Sequence, residues 1–280
     1  MDLSVLRLER VGRYCSGSRR YLAPGAHSCL VAAVIYPPLT PPEGGGRDKV
    51  VALDIDSGRQ LWEFFAGGPV RLPPVAWREH VYFASDDGHL YCVRAKDGKL
   101  VWKFRGGPSE RKVIGNQRII SAWPARGGPV IRDGQLYFAA SIWPFMGTFI
   151  YALDANTGDV IWVNDSTGAQ YIDQPHGAPA FAGVAPQGAL VATRNVLLVP
   201  GGRSVPAAFE RKTGKFLNFH IGGKGTGGSF VCADERKIYI HTRRRGVRVG
   251  DLEKGDLSKS VLNEPVLTDN GTISFNGTQL

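Results

Sequence analysis

Ten residues in polar, turn-rich stretches of this 280-residue chain are of types that bind or activate small molecules. "SAWPARGG" carries Trp123 and Arg126, and "SIWPFMG" carries Trp143. "GAQYIDQPHGAP" carries Gln170, Tyr171, Asp173, Gln174 and His176, while "PGGRSV" and "HIGGKGTGG" add Arg203 and Lys224. Cationic groups interleaved with indole rings suit a flat, anionic ligand held by charge and stacking. His176 is a candidate general base, with Asp173 the one acid near it in sequence. The plainer alternative is that Trp123-Pro124 and Trp143-Pro144 only fasten long loops to a scaffold. A loop histidine likewise most often serves as a hydrogen-bonding group. No catalytic residue is assigned on these grounds.

Other chemistries find less support. His80, His89 and His241 fall in strand-like stretches without ligand spacing, so no zinc site is expected. "GGKGTGGS" lacks the spacing of a phosphate-binding loop and reads as an inter-strand connection. "TRRRGVR" has no interleaved aromatic rings, so it reads as a solvated rim and nucleic acid is not an expected partner. Cys15, Cys29, Cys92 and Cys232 form no C-x-x-C pair. The net charge of +9 permits anionic partners without specifying one. No apolar run reaches the length of a membrane-spanning helix.

These residues need a scaffold, and a repeated motif supplies it. Residues 152–162 read "ALDANTGDVIW"; 52–62 read "ALDIDSGRQLW"; 92–102 read "CVRAKDGKLVW"; 208–218 read "AFERKTGKFLN"; 249–255 read "VGDLEKG". Each copy is a strand, a polar turn closed by glycine, and a second strand. The glycines are Gly58, Gly98, Gly158, Gly214 and Gly255, and each supplies the positive φ of a tight hairpin. Trp62, Trp102 and Trp162 stand four residues after the first three glycines, where a large ring can bury in the seam between units. Asn218 holds that position in the fourth copy and predicts a looser seam. A period near forty residues built of short strands is that of propeller blades.

The pattern A-x-D-x-x-T-G-x-x-x-W, complete at 152–162, resembles the pyrroloquinoline-quinone-like propeller repeat. The resemblance implies an all-β chain of four-stranded antiparallel blades, here about four full blades and two half blades over residues 49–280. It implies an incomplete ring belonging to a larger propeller, since rings of this family commonly have eight blades; closure of the two halves into a five-bladed ring is the alternative. Residues 1–48, rich in Arg and Pro, read as an irregular leader. "SRRYLAP" within them is loosely similar to a twin-arginine export signal, which leaves the compartment unassigned.

The family contains both quinoprotein dehydrogenases and a lipoprotein scaffold of outer-membrane assembly. Its enzymes use pyrroloquinoline quinone with calcium, often beside adjacent cysteines. This chain has no adjacent cysteine pair and no matching cluster of acidic ligands, so the expected function is a non-catalytic binding or scaffold propeller, its partner another protein or further blades. A quinone-dependent oxidoreductase module is the alternative. In an A-to-D meander the B–C loops and inter-blade links share one face, opposite the glycine turns. All ten candidate residues fall in those loops, so a ligand or partner is expected there.

Overall fold

The computed structural model of the chain describes residues 49–115, 118–174, 177–202, 204–221, 227–242 and 246–257 in full, and residues 15–21, 29–34, 258–262, 266–268 and 271–273 as backbone strands. Almost all of the regular structure is β. The first sheet contains β1 (Cys15–Tyr21), β2 (Cys29–Val34), β3 (Lys49–Asp54) and β4 (Gln60–Phe65). The second contains β5 (Val75–Trp77), β6 (His80–Ala84), β7 (His89–Arg94) and β8 (Leu100–Arg105). A separate hairpin follows, β9 (Lys112–Gly115) and β10 (Arg118–Ser121).

The third sheet is β11 (Gly127–Arg132), β12 (Gln135–Ala140), β13 (Phe149–Asp154) and β14 (Val160–Asn164). A second hairpin, β15 (Gln170–Asp173) and β16 (Pro179–Ala182), precedes β17 (Gly188–Ala189), which joins the third sheet in parallel with β11. The fourth sheet is β18 (Val191–Ala192), β19 (Val196–Gly201), β20 (Ser204–Glu210) and β21 (Phe216–Asn218). The fifth is β22 (Phe230–Ala233), β23 (Lys237–Thr242), β24 (Gly246–Asp251) and β25 (Leu257–Leu262). β26 (Val266–Thr268) and β27 (Gly271–Ile273) form a last pair. The first strands of successive sheets touch, β1 with β5, β5 with β11, β11 with β18 and β18 with β22, which is the arrangement of propeller blades.

Side-chain alternation makes the core. Neighbouring residues of a strand point to opposite faces, and a blade lying between two others is covered on both, so the second strands of the second, third and fourth blades and the third strands of the second and fourth are buried at nearly every position. Phe83 packs towards the first blade with Val50, Val81 and Trp62, while its neighbour Tyr82 packs towards the third with Leu90, Leu136 and Phe138. Tyr137 and Ile150 then meet Leu197 and Phe209 of the fourth blade. Leu198 and Val205 meet Ile238 and Ile240 of the fifth.

The repeated motif forms the turn between third and fourth strands. The N–H groups of Gly58, Gly98, Gly158, Gly214 and Gly255 donate to the carbonyls of Asp54, Arg94, Asp154, Glu210 and Asp251 at 2.8, 2.8, 2.9, 2.9 and 3.0 Å. Every one of these glycines has φ between +69 and +79°. A bulge follows in each hairpin and sets Ala52 opposite Trp62, Cys92 opposite Trp102, Ala152 opposite Trp162 and Ala208 opposite Asn218.

Each tryptophan leans onto the glycine turn of the following blade. Its indole Nε1 donates to a carbonyl there: Trp62 to Ala95 (2.7 Å), Trp102 to Asn156 (3.2 Å) and Trp162 to Arg211 (3.1 Å). Asn218 keeps a version of this bond, its amide donating to the Glu253 carbonyl at 2.6 Å.

Two readings of the sequence are corrected. The first blade is not a half of two strands: within the stretch read as an irregular leader, β2 pairs with β3 in unbroken antiparallel register, Cys29 opposite Asp54 through Val34 opposite Lys49, and β1 pairs with β2. β26 and β27 pair with each other rather than with β3. The stretch "GALVAT" also divides, Gly188–Ala189 joining the third blade and Val191–Ala192 the fourth. Gly188 meets Gly127 at that junction, where a close backbone approach suits two residues without Cβ.

Candidate functional site

Loops between second and third strands lie beside the inter-blade links, and specific bonds join them. Trp123, in the link after the second blade, donates its indole N–H to the Met146 carbonyl in the loop of the third (2.9 Å). Thr148 in that loop donates its hydroxyl to the Val184 carbonyl of the next link (2.7 Å). The Ser141 N–H donates to the Pro124 carbonyl (2.9 Å). One face therefore carries the long segments, while the tryptophan-capped glycine turns belong to the other hairpin ends.

Trp123 is 8 % exposed, with Gly107 packed against it, so its ring fastens the loop rather than offering a surface for stacking. Trp143 is half-buried and precedes a single 3-10 turn, Pro144–Met146. Arg126 makes a two-pronged ion pair with Asp86, Nε to Oδ1 and Nη2 to Oδ2, both at 2.9 Å. Arg71 adds a third bond to the Asp86 carboxylate, Nε to Oδ2 at 2.6 Å. Asp86 is buried, at 1 % exposure, and so joins the links entering the second and third blades through one carboxylate. Sequence reading put Arg126 among the ligand-binding cations and did not find Asp86 or Arg71.

Beside this cluster, Asp87 accepts a short bond from the Tyr91 hydroxyl and one from the His89 backbone N–H (3.0 Å). Burial raises the Asp87 carboxyl, but the bonds from His89 and Tyr91 outweigh it and hold the group below the ordinary carboxylate range. Burial, then the Asp87 charge, pushes Tyr91 well above the ordinary phenol range. The His89 Nε2 lies 3.8 Å from Glu110, whose carboxylate accepts a bond from Arg105 at 3.1 Å.

Gln170, Tyr171 and Asp173 belong to β15, and Gln174 follows it. The Gln170 amide donates to the Thr167 carbonyl (3.1 Å) and the Gln174 amide to the Ile172 carbonyl (3.2 Å), so both brace their own hairpin. Asp173 is exposed. Tyr171 stands opposite Phe181 across the hairpin, their ring centroids 5.2 Å apart and planes at 64°. These rings are 62 % and 66 % exposed, and β16 lies against the 3-10 turn that carries Phe145, 67 % exposed. His176, Arg203 and Lys224 lie outside the described residues. Among the described candidates, Trp123 and Arg126 are bonded within the scaffold and Tyr171 faces outward.

Among the described residues, no three His, Cys, Asp or Glu side chains are gathered as a metal's ligands. Cys92 lies inside a seam between blades, its thiol pushed up to about 12 by burial, and Cys232 is half-buried in the fifth blade. No helix among the described residues is long and apolar enough to cross a membrane.

The sequence profile of the family described as outer membrane protein assembly factor BamB matches residues 42–261, and the chain belongs to that family of pyrroloquinoline-quinone-like repeats. It is similar to tetrathionate hydrolase of Acidithiobacillus ferrooxidans, 28 % identical over 204 residues, covering 70 % of this chain and 38 % of that protein. It is 32 % identical over 126 residues to the dehydrogenase subunit of the quinone alcohol dehydrogenase of Gluconobacter oxydans, 41 % of this chain and 16 % of that one. The chain therefore spans well under half the length of these relatives. A europium-containing methanol dehydrogenase shares the fold, with a TM-score of 0.55 at 15 % identity over 89 % of this chain and 53 % of the other.

Proposed function

We propose that this chain is a non-catalytic propeller scaffold that holds a partner protein on the face bearing the long loops. The observation that carries the reading is the outward aromatic pair Tyr171 and Phe181, with Phe145 on the adjoining turn. Exposed rings held rigid by a hairpin present large contact area at little entropic cost, which is the composition of interface anchors. Internal bonding of Arg126 and burial of Trp123 argue in the same direction, because they remove two residues from a small-ligand site. The family description names an assembly factor, and the Gluconobacter relative is a subunit of a larger enzyme.

Placing a photo-crosslinking amino acid at Tyr171, at Phe181 or, as control, at Thr157 on the glycine-turn face tests the reading in the native cell. A discrete protein adduct from the first two positions and none from Thr157 is expected. Adducts from Thr157 alone would overturn it.

The identity to a quinone alcohol dehydrogenase subunit favours a second reading, a module of a quinone-dependent oxidoreductase. Titrating the chain with pyrroloquinoline quinone plus calcium, followed by absorbance and dye-linked alcohol oxidation, separates the two. Saturable binding with turnover would replace the scaffold reading.

A further inference from the structure

We propose that the first link hairpin, β9–β10, is a docking prong for an extended segment of a partner protein in which apolar residues alternate with carboxylates. The proposal rests on the reading of the long-loop face as a partner surface.

The hairpin has two unlike faces. Val113 and Ile120 stand opposite each other on one of them, and Ile120 is 2 % exposed. Gly115 lies against the end of the Ile120 side chain, and the burial of Ile120 shows that this face is seated on the scaffold. Ile114 and Ile119 stand opposite each other on the other face and are 85 % and 68 % exposed. A cross-strand aliphatic pair turned wholly to solvent gains nothing for the fold, because its area is not removed from water. It gains only when something covers it.

Charge identifies the cover. Arg111 and Lys112 stand exposed at the start of the hairpin, and no ion pair holds either among the described residues. The nearest acid along the chain, Glu110, is already bonded to Arg105. The prong is therefore apolar on its outer face and cationic at its root. Carboxylates set among apolar residues complement it, the apolar side chains meeting Ile114 and Ile119 and the acids meeting Arg111 and Lys112. β9 and β10 pair only with each other among the described strands, so an added strand finds backbone donors and acceptors along an edge.

The same residues suit an anionic bilayer less well. The prong brings two aliphatic side chains and no aromatic interface anchor, and unpaired strand edges are costly in hydrocarbon.

The test uses the full chain and a labelled twelve-residue peptide alternating Glu with Leu or Val, with fluorescence anisotropy as readout. Saturable binding that weakens with added salt is expected. The double variant Ile114→Ser, Ile119→Ser should weaken it at least tenfold with an unchanged melting temperature, since both side chains are exposed. The variant Arg111→Glu, Lys112→Glu should reject this peptide and accept its Lys-for-Glu counterpart, a gain of binding that a misfolded variant cannot show. Tyr171→Ala should leave peptide affinity unchanged. Absence of binding by the unaltered chain overturns the proposal. Binding only to vesicles containing phosphatidylserine, or equal affinity for the two peptides, overturns it too. A photo-crosslinker at Ile119 separates this failure from that of the broader reading. Adducts at Tyr171 with none at Ile119 reject the prong alone, and none at either position rejects both.

Discussion

The indole of Trp62 lies flat against Gly98 of the next blade: a Cβ built on Gly98 would stand 2.7 Å from the ring carbon Cε3. The same relation joins Trp102 to Gly158 and Trp162 to Gly214. The motif glycine therefore does two things. It takes the left-handed φ that its turn needs, and it leaves a bare surface on which the preceding blade's tryptophan rests.

The two roles separate by substitution. Gly58 has φ +71° and nothing within 4 Å of a would-be Cβ among the described residues, so Gly58→Ala should cost only the backbone term, roughly 1–2 kcal/mol. Gly98→Ala should cost about 1–3 kcal/mol more, because the new methyl displaces the Trp62 ring. Equal losses in chemical denaturation would show that the ring does not rest on the glycine.

Trp62 itself is 8 % exposed and bonded through Nε1 to the Ala95 carbonyl. Replacing it by Ala should cost about 3–5 kcal/mol, for a large cavity in the seam and an unpaired carbonyl. A loss below about 1 kcal/mol would sink the seam assignment.

The fourth seam was expected to be looser, and its residues show how it is made. Asn218 occupies the ring's place, its amide donating to the Glu253 carbonyl while its Oδ1 is buried without a hydrogen-bond partner among the described residues. Asn218→Asp replaces the donor by a second acceptor and should cost roughly 1–3 kcal/mol. An unchanged denaturation midpoint would mean that this amide carries no part of the seam.

Legibility follows the range of the interactions. The tryptophan seam is long-range, each ring meeting the glycine of the next copy, and it was readable because turn, glycine and ring recur together at fixed spacing. Asp86 was not, since "SDDG" looks like any acidic turn and its partners Arg71 and Arg126 lie 15 and 40 residues away. The two link hairpins escaped notice because four-residue strands leave too short an alternation to separate from loop. β1 and β2 escaped because no glycine-turn motif marks residues 15–34. Of the candidate site, the sequence placed Tyr171 in an exposed loop segment but gave no sign of Phe181 opposite it.

Asp86 offers a sharp contrast with an exposed pair. Removing its charge leaves Arg71 and Arg126 clustered without their shared carboxylate, and Asp86→Asn should cost about 3–5 kcal/mol, as for a broken buried pair. Asp97 pairs with Arg94 in open solvent, and although its carboxyl is held down to about 2 by that bond, Asp97→Asn should leave the melting temperature nearly unchanged. Equal effects of the two variants would contradict the burial of Asp86.

The Asp87–Tyr91 pair fixes the sign of two limbs in the pH profile of stability. Asp87 titrates lower in the folded chain than in the unfolded one, so its contribution is complete above the unfolded value, about 4, and disappears as pH falls through the depressed one. Tyr91 titrates higher in the folded chain, through burial first and the neighbouring carboxylate second. Its contribution is complete below the unfolded value, about 10, and is lost as pH rises beyond it. Melting temperatures measured across the acid and alkaline limbs should separate the two groups. Asp87→Asn should flatten the acid limb only in part, because Asp154 and Asp234 are also held low, by backbone N–H bonds to their carboxylates. Tyr91→Phe should flatten the alkaline limb only in part, because Tyr151 is also raised, to about 12, by burial. Parallel profiles for both variants and the unaltered chain would mean that this hydrogen bond does not exist in solution.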